Sequence, residues 1–388
     1  MAPADRTWRP VAFAMLAAGW GANQFAPLLL AYRAERGLSE QLVTGMFAAY
    51  VGGLAPALLA AAWASHHLGK RPLVRASALL MLIGDGLLLL GADAAWLLFV
   101  GRLVSGVGVG FVMGPGTAWV TELSAGHPVG TGARRSTVAL TSGFALGALV
   151  AGLVAQWLVA PLHLAYLLHV VVQVVATVLV WRVAEVDAAD RPTPSVRTVV
   201  DHVLSPWFRH LVVPSAPWVF GTATVAFAVV PALVGRLPGV PAVAASGLAA
   251  GLTLGTSVLV QPSVRRFAGH DPGRTPPLGM AVTAVGMLLA TGAALAPHPV
   301  WILPAALVLG CAQGLLMAGS ITIVEHHTPD HLMAATTAVV YCLAYIGFLA
   351  PWVVSVLTLL VPAYAVLAFG AVVALATVAW LRHVRREA

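Results

Sequence analysis

Charged residues are scarce in this chain: aspartate, glutamate, lysine and arginine together make up 9% of its 388 residues. A soluble domain carries about 25% charged residues, so these charges are too few to cover a water-facing surface of this size. Hydrophobic residues instead account for 60%, and the mean hydropathy is +0.90. The composition therefore predicts an integral membrane protein whose surface is covered mainly by the lipid bilayer.

Cysteine is also rare. Cys311 and Cys342 both lie within apolar runs, which excludes a disulfide framework and a cysteine-based metal site. The sequence has no Walker lysine motif, no HExxH and no Ser/His/Asp arrangement. We therefore predict no metal, no cofactor, no catalytic residue and no use of ATP, and keep an intramembrane enzyme as a minor alternative. The net charge of +7 does not indicate nucleic-acid binding, because the basic residues stand in short clusters between apolar runs.

Twelve apolar runs are long enough to cross the hydrocarbon core as helices, which takes about 20 residues each. The first run is too long for a signal peptide and is interpreted as a retained span. The chain is thus predicted to be all-α, with transmembrane helices at residues 11–31, 42–64, 73–93, 96–122, 135–160, 163–183, 209–234, 241–261, 276–296, 300–324, 332–360 and 362–381.

Arginine and lysine are distributed unevenly between the two sides of the predicted spans. If the N-terminus lies inside, the outer connections hold only Arg33, Arg36 and Arg236, and the inner segments hold nearly all the others. The positive-inside rule then places both termini in the cytoplasm and requires an even number of spans. The predicted location is a bacterial cytoplasmic (inner) membrane.

The longest polar connection divides the spans into two sets of six. We predict an N-terminal bundle at 1–183, a cytoplasmic linker at 184–208 and a C-terminal bundle at 209–388. Weak internal symmetry supports this division, since the fourth span reads Gly106-x3-Gly110 and the tenth reads Gly314-x3-Ala318. Two pseudo-symmetric six-helix bundles with a substrate site between them are a known transporter architecture.

Three motifs resemble those of the major facilitator superfamily. The fourth span, Gly101 to Gly106 followed by Gly110, is similar to that family's fourth-helix motif, and the loop His66 to Pro72 is similar to its Asp-Arg-x-Gly-Arg-Arg signature. In the fifth span, the glycines at 143, 147 and 152 resemble the glycine-rich motif of the bacterial twelve-helix drug:proton antiporters. The chain departs from these patterns at two positions: His66 replaces the acidic residue of the loop, and Ala148 replaces the proline of the antiporter motif.

Ionisable residues within a membrane are costly and are functional candidates. Asp85 and Arg102 lie at similar depths on either side of the turn near 94–95, so an ion pair between them is predicted. His169, with Asn23 and Gln24, falls at a similar depth. We expect Asp85, together with His169, to bind a coupling proton whose affinity Arg102 tunes. The alternative is a static ion pair that only fixes helix packing.

The resemblance also implies a substrate cavity between spans one, four, seven and ten. The polar or aromatic residues expected there are Asn23, Gln24, Trp218 and Gln313, with packing against lipid as the alternative for Trp218. So few charges suit an uncharged, amphipathic or weakly cationic solute.

A cytoplasmic gate is predicted at the inner ends of the spans. Its expected members are His66, Gly69, Lys70, Arg71, Glu122 and Glu325. The alternative is simple orientation by positive charge together with ion pairs at the membrane surface. His326, His327 and His331 follow Glu325, but neighbouring histidines on one helix end point in different directions, so no metal site is predicted.

The sequence therefore predicts a monomeric secondary transporter that binds a small-molecule substrate and protons and works by alternating access. Proton-driven export of a small organic solute is the favoured reaction. The alternatives are a sugar or nutrient uptake symporter and a receptor-like homologue that moves no solute.

Overall fold

The computed structural model describes residues 7–91, 94–128, 131–184, 195–235, 239–268 and 271–387. Within these ranges the regular structure is helical, as the sequence predicts, and includes no strand. The α-helices are α1 (Arg9–Asn23), α2 (Phe25–Arg36), α3 (Glu40–Leu68), α4 (Lys70–Leu90), α5 (Ala95–Glu122), α6 (Thr131–Trp157), α7 (Pro161–Trp181), α8 (Val196–Val203), α9 (Ala216–Thr224), α10 (Val230–Val234), α11 (Ala242–Ala268), α12 (Thr275–Leu295), α13 (Ile302–His327), α14 (Asp330–Ile346), α15 (Ala350–Leu357) and α16 (Ala363–Glu387).

Eleven segments of the described chain are long and apolar enough to cross a membrane. They correspond to the second through twelfth predicted spans and run over Glu40–Ser65, Lys70–Leu90, Ala95–Glu122, Thr131–Trp157, Pro161–Trp181, Phe208–Val234, Ala242–Val264, Pro272–Leu295, Pro299–His327, His331–Leu357 and Ala363–Val384.

The first predicted span, residues 11–31, is not one helix. It is divided at Gln24 into α1, of 15 residues, and α2, of 12 residues. Pro27 explains the break, because it has no N–H to donate to the carbonyl of Asn23 four residues earlier. A helix of 15 residues is about 22 Å long, less than the hydrocarbon core of about 30 Å. The count of twelve spans therefore stays a prediction.

The seventh predicted span also contains breaks in its α-helical pattern. Phe208–Val212 and Val225–Val229 form π-helical turns, and Pro217 and Pro231 lie at the starts of the α-helices that follow them. A π turn shifts the backbone hydrogen-bond register by one residue. It therefore accommodates a proline whose missing N–H would interrupt a regular α-helix.

Contacts divide the chain into two compact units. The first comprises residues 1–28 and 49–193, and the second comprises residues 29–48 and 194–388. The predicted domain boundaries at 183 and 209 stay a prediction. Residues 29–48, which the sequence assigns to the N-terminal bundle, belong to the second unit in the structure.

Glycines bring helices into close contact in the first unit, as the small-residue spacings predict. A Cβ atom added to Gly106 on α5 would overlap the carbonyl oxygen of Tyr50 on α3, and one added to Gly143 on α6 would overlap that of Leu16 on α1. The second unit repeats the first arrangement with Gly310 on α13, whose added Cβ would overlap the carbonyl of Thr253 on α11. The pair that matches Gly106 and Gly110 is thus Gly310 and Gly314, not Gly314 and Ala318.

The linker predicted from the sequence contains the short helix α8, which lies in the second unit. Ser195 caps it by accepting a hydrogen bond from the Thr198 N–H at 3.1 Å. At its other end His202 Nε2 lies 3.1 Å from Thr328 Oγ1, and the His202 ring contacts Trp207 edge-on. Trp207 in turn stacks on His327 with ring centroids 4.8 Å apart. These contacts attach the linker to the end of α13.

Acidification is expected to loosen this attachment. Partial burial lowers the pKa of His202 from its usual value of 6.5, and the neighbouring His331 and His327 lower it further. The attached state therefore favours the neutral ring, so its stabilisation is present above about pH 6.5 and is lost as the pH falls through the lowered pKa. Labelling of a cysteine introduced by Val203→Cys, divided by the labelling rate of an unstructured peptide thiol at the same pH, should rise roughly threefold on acidification, a modest factor because His202 is only partly buried. The same labelling in a His202→Gln background should show no such acceleration, and an acceleration that persists there would contradict the role of His202.

Candidate functional site

A cluster of buried polar side chains lies in the first unit where α1, α2, α4 and α7 meet. Asp85 on α4 is fully buried, and its Oδ1 accepts a hydrogen bond from Gln24 Nε2 at 3.2 Å and lies 2.9 Å from His169 Nδ1. Its Oδ2 lies 2.8 Å from the same His169 nitrogen. The structure thus brings together three residues that the sequence placed at one depth.

His169, on α7, is fully buried and has an oxygen atom opposite each ring nitrogen. Nδ1 faces the Asp85 carboxyl group, and Nε2 lies 2.9 Å from the backbone carbonyl of Ala17. A carbonyl only accepts, so Nε2 must carry a hydrogen. The contact at Nδ1 then requires one further proton, held either by His169 as an imidazolium or by Asp85 as a carboxylic acid. Without that proton, two hydrogen-bond acceptors would face each other in a buried site.

Arg102 is buried beside this cluster, but the predicted ion pair with Asp85 is wrong. Asp85 pairs with His169, whereas Arg102 Nη1 donates to the Ala22 carbonyl at 3.1 Å. The Arg102 guanidinium lies over the rings of Tyr50 and Phe25, at 4.5 and 4.9 Å from their centroids. Cation–π contacts of this kind stabilise a charge removed from water. Counting along α4 and α5 gave the depths of Asp85 and Arg102 but not the directions of their side chains.

Asn23 and Gln24 end α1 and are both buried. Asn23 Nδ2 donates to the Phe144 carbonyl on α6 at 3.2 Å, and Gln24 bonds Asp85. Each amide also has an oxygen, Asn23 Oδ1 and Gln24 Oε1, that has no hydrogen-bond partner in the described part of the chain. Buried acceptors without partners are costly, which makes both oxygens candidates for binding a donor group of a solute.

The other two predicted cavity residues lie in the second unit. Trp218 on α9 is partly buried and packs against the cluster that contains Met287 and Leu367. Gln313 on α13 is buried, and its Oε1 has no hydrogen-bond partner among the described residues. A role of either residue in a substrate cavity stays a prediction.

The predicted gate residues of the first unit meet at the adjoining ends of α4 and α5. Lys70 Nζ lies 2.6 Å from Glu122 Oε1. Gly69, which precedes α4, has φ +79°, a left-handed conformation that favours glycine, and Arg71 is the second residue of α4. Glu325 is an exposed residue near the end of α13 in the second unit. The side chain of His66 lies outside the described residues.

Tyr50 and a set of neutral polar residues in the second unit were not predicted from the sequence. Tyr50 provides a ring beneath Arg102, although nothing in its local sequence distinguishes it from other aromatic residues in spans. In the second unit, Gln41 Nε2 donates to the Ser355 carbonyl at 3.0 Å, and Thr44 Oγ1 lies 2.9 Å from Ser355 Oγ. These neutral polar residues carry no charge signal, and their partner is more than 300 residues away in the sequence.

Comparisons with known structures agree with this helical arrangement. A peptide transporter in complex with sulfate shares 14% identity at a TM-score of 0.80, with 99% of this chain and 95% of that one covered. A D-xylose–proton symporter shares 15% identity at a TM-score of 0.76, with 96% of each chain covered. A nucleoside transporter shares 13% identity at a TM-score of 0.76, with 98% and 99% covered. At these identities the likeness shows the fold alone.

The sequence itself assigns the family. No curated protein sequence matches the chain. A family model described as Major Facilitator Superfamily, however, matches residues 11–351, which is most of the chain. Together with the eleven candidate spans, this match shows a multi-pass membrane protein of a family of transporters, not enzymes. The chain belongs to the major facilitator superfamily.

Proposed function

We propose that this chain is a proton-coupled secondary transporter that exports a small organic solute by alternating access. The observation that carries the proposal is the contact between Asp85 and His169, because its geometry requires one proton in a fully buried site. Loss of that proton would place a carboxylate against the lone pair of a neutral imidazole. Repulsion between these acceptors would separate α4 from α7, so that the protonation state biases the conformation.

The proposal includes the finer architecture predicted from the sequence. Here α1 and α2 together form a twelfth span, interrupted at Gln24, so that two six-helix bundles cross a bacterial inner membrane with both termini in the cytoplasm. The protein acts as a monomer. An interrupted span at the polar cluster fits a transporter, because broken helices place backbone and side-chain polar groups at a binding site.

The solute is expected to be uncharged, amphipathic or weakly cationic. The groups that support this are neutral amides, with the free oxygens of Asn23 and Gln24 available to accept hydrogen bonds. Proton-driven uptake is the second candidate, favoured by the similarity in fold to a D-xylose–proton symporter. A symporter and an antiporter differ in the direction of the solute relative to the proton.

Flux in proteoliposomes tests the function and separates the candidates. Purified protein would be reconstituted with an imposed pH gradient and supplied with labelled peptides, nucleosides, sugars and neutral amphipathic drugs. Export predicts solute movement against the proton flow, and uptake predicts movement with it. A protonophore and protein-free vesicles serve as controls. Flux unchanged by the protonophore would contradict coupling, and binding without flux would support the receptor-like alternative.

The segment 29–48 supports alternating access. Both of its ends continue into the first unit, yet its side chains Gln41 and Thr44 bond Ser355, and Phe47 stacks on Phe348 with ring centroids 5.1 Å apart. We assign these contacts to the closed state of the outer side. Opening would break these neutral hydrogen bonds and this ring stack.

Replacing Ser355 with Ala is expected to favour the outward-open state. The change removes the hydroxyl that contacts Thr44, and a neutral hydrogen bond contributes about 1 kcal/mol, so the population should shift about fivefold. Labelling of Leu29→Cys by an impermeant thiol reagent measures this shift. The matched control is Ser136→Ala, which removes a buried hydroxyl that bonds only a carbonyl of its own helix. Equal labelling rates in the two variants would contradict the assignment.

A further inference from the structure

The second unit contains a cavity of about 550 Å³, whose lining does not include Gln24, Asp85 or His169 of the polar cluster. Its volume is in the range of about 300–1,000 Å³ that is usual for small-molecule sites. One wall comes from the segment 29–44, and the other comes from residues 228–233, 294–297 and 351–364. Most of the surface is aliphatic, with Ala232 and Pro351 as representatives, so the cavity suits an extended apolar body.

Among the described lining residues, the charged side chains are Arg33 and Glu40, which form an ion pair. Arg33 Nη1 lies 3.1 Å from Glu40 Oε2, and the two side chains are 31% and 24% exposed. Tyr364, 43% exposed, adds a hydroxyl group to the same lining, which also includes Thr44. The charges of the described lining residues therefore sum to zero, and the lining offers both a cation and an anion.

We infer that this cavity binds an amphipathic molecule with a polar head of zero net charge. A head with a net charge would be attracted by one member of the Arg33–Glu40 pair and repelled by the other. A zwitterionic or uncharged hydrogen-bonding head avoids this conflict, since its acceptor groups meet Arg33 and its donor or cationic groups meet Glu40. The apolar tail lies along the aliphatic walls and gains the free energy of leaving water.

The position of the cavity gives the ligand an effect on conformation. Because the ligand contacts both walls, it stabilises the packing of segment 29–44 against the rest of the second unit, and the stabilisation grows with ligand concentration relative to Kd. This effect on transport rests on the proposed function, in which that segment leaves the second unit when the outer side opens. Binding itself does not rest on it. The ligand therefore acts as an inhibitor that holds the outer side closed.

Calorimetric titration of the purified full chain in lipid nanodiscs tests the site. The probes are dodecylphosphocholine, dodecyl sulfate and dodecyltrimethylammonium, which share one chain and differ in net charge. The zwitterion should bind at least about threefold more tightly than either ion, since partly exposed charges act weakly. Glu40→Gln should move the preference to the anion, Arg33→Gln should move it to the cation, and the double variant should remove it.

Two further variants establish whether the probe binds within this cavity. Ala232→Phe narrows the cavity and should weaken binding of the probe without changing the unfolding temperature. Arg197→Gln removes a cation on α8 with 92% exposure and should leave binding unchanged. A charge preference that survives both Glu40→Gln and Arg33→Gln would overturn the site, because the probe would then be held elsewhere on the apolar surface. Absence of zwitterion binding would overturn it as well.

The choice of nanodisc lipid distinguishes two sources of the natural ligand, a membrane lipid and a soluble amphiphile. If the occupant is a membrane lipid, phosphatidylethanolamine discs should block the dodecylphosphocholine titration and phosphatidylglycerol discs should permit it. If the occupant is a soluble amphiphile, both discs should permit it. Flux assays then complete the test: binding without inhibition would overturn the closing role and leave the site intact, whereas absence of any flux would contradict only the proposed function.

Discussion

Replacing Asp85 with Asn is expected to abolish proton-driven accumulation of solute while downhill exchange continues. Asparagine has nearly the same shape but no ionisable carboxyl group. Its amide N–H₂ can donate to Nδ1 of a neutral His169, which reproduces the hydrogen bond of the protonated pair. The variant therefore keeps the contact between α4 and α7 in the form of the protonated pair at every pH. Uphill flux should fall at least about 100-fold, since the site no longer changes charge during the cycle.

The measurement is solute accumulation in proteoliposomes under an imposed pH gradient, beside exchange of labelled for unlabelled solute without a gradient. The control is Asp201→Asn, which removes a carboxylate that is 70% exposed on α8 and pairs only loosely with Arg197. This variant should accumulate solute like the parent protein. Asp85→Asn protein that also accumulates solute normally would rule out Asp85 as the proton site. Loss of exchange as well as accumulation would indicate a structural defect.

Sequence-based prediction succeeded for the candidate spans, which depend only on the composition of neighbouring residues. Eleven of the twelve apolar runs are candidate spans, because the length of an apolar run is a property of neighbouring residues. The first run was predicted as one helix, although it contains the cause of its division. Pro27 removes one backbone hydrogen bond, and the polar Asn23 and Gln24 at the break are stabilised by distant partners on α6 and α4. Their partners are not visible in the local sequence.

Side-chain direction explains the part of the site that was mispredicted. Rise per residue gives depth, and Asp85, His169 and Gln24, which were expected at one level, are in contact in the structure. The rotation of α4 and α5 depends on packing, in which Gly84 lies against Ser105 and Gly101 lies against Leu88. That packing directs Asp85 to His169 and Arg102 to the Tyr50 ring. The attachment of residues 29–48 to the second unit was missed for the same reason, since it depends on contacts far apart in the chain.

Replacing Gly106 with Ala should destabilise the first unit and disturb the site with it. The added Cβ would overlap the Tyr50 carbonyl and lie 2.9 Å from the Leu54 nitrogen, so the backbones of α3 and α5 must separate. Overpacking of this kind costs about 1–3 kcal/mol. Because the ring of Tyr50 lies beneath Arg102, the movement also alters the environment of that charge. The unfolding midpoint of the purified protein should fall by roughly 5 °C.

Gly114 provides the matched control on the same helix. Apart from its two chain neighbours and the backbone of its own helix, a Cβ added there meets no atom within 4 Å, so Gly114→Ala introduces no contact with another helix. Alanine is favoured over glycine within a helix by about 1 kcal/mol, but a Cβ in front of Pro115 crowds the proline ring, so the control should unfold close to the temperature of the parent protein. Equal midpoints for the two variants would mean that α3 and α5 do not approach as closely as the structure places them. A fall limited to Gly106→Ala, accompanied by reduced solute flux, would instead connect this helix contact to the position of Arg102.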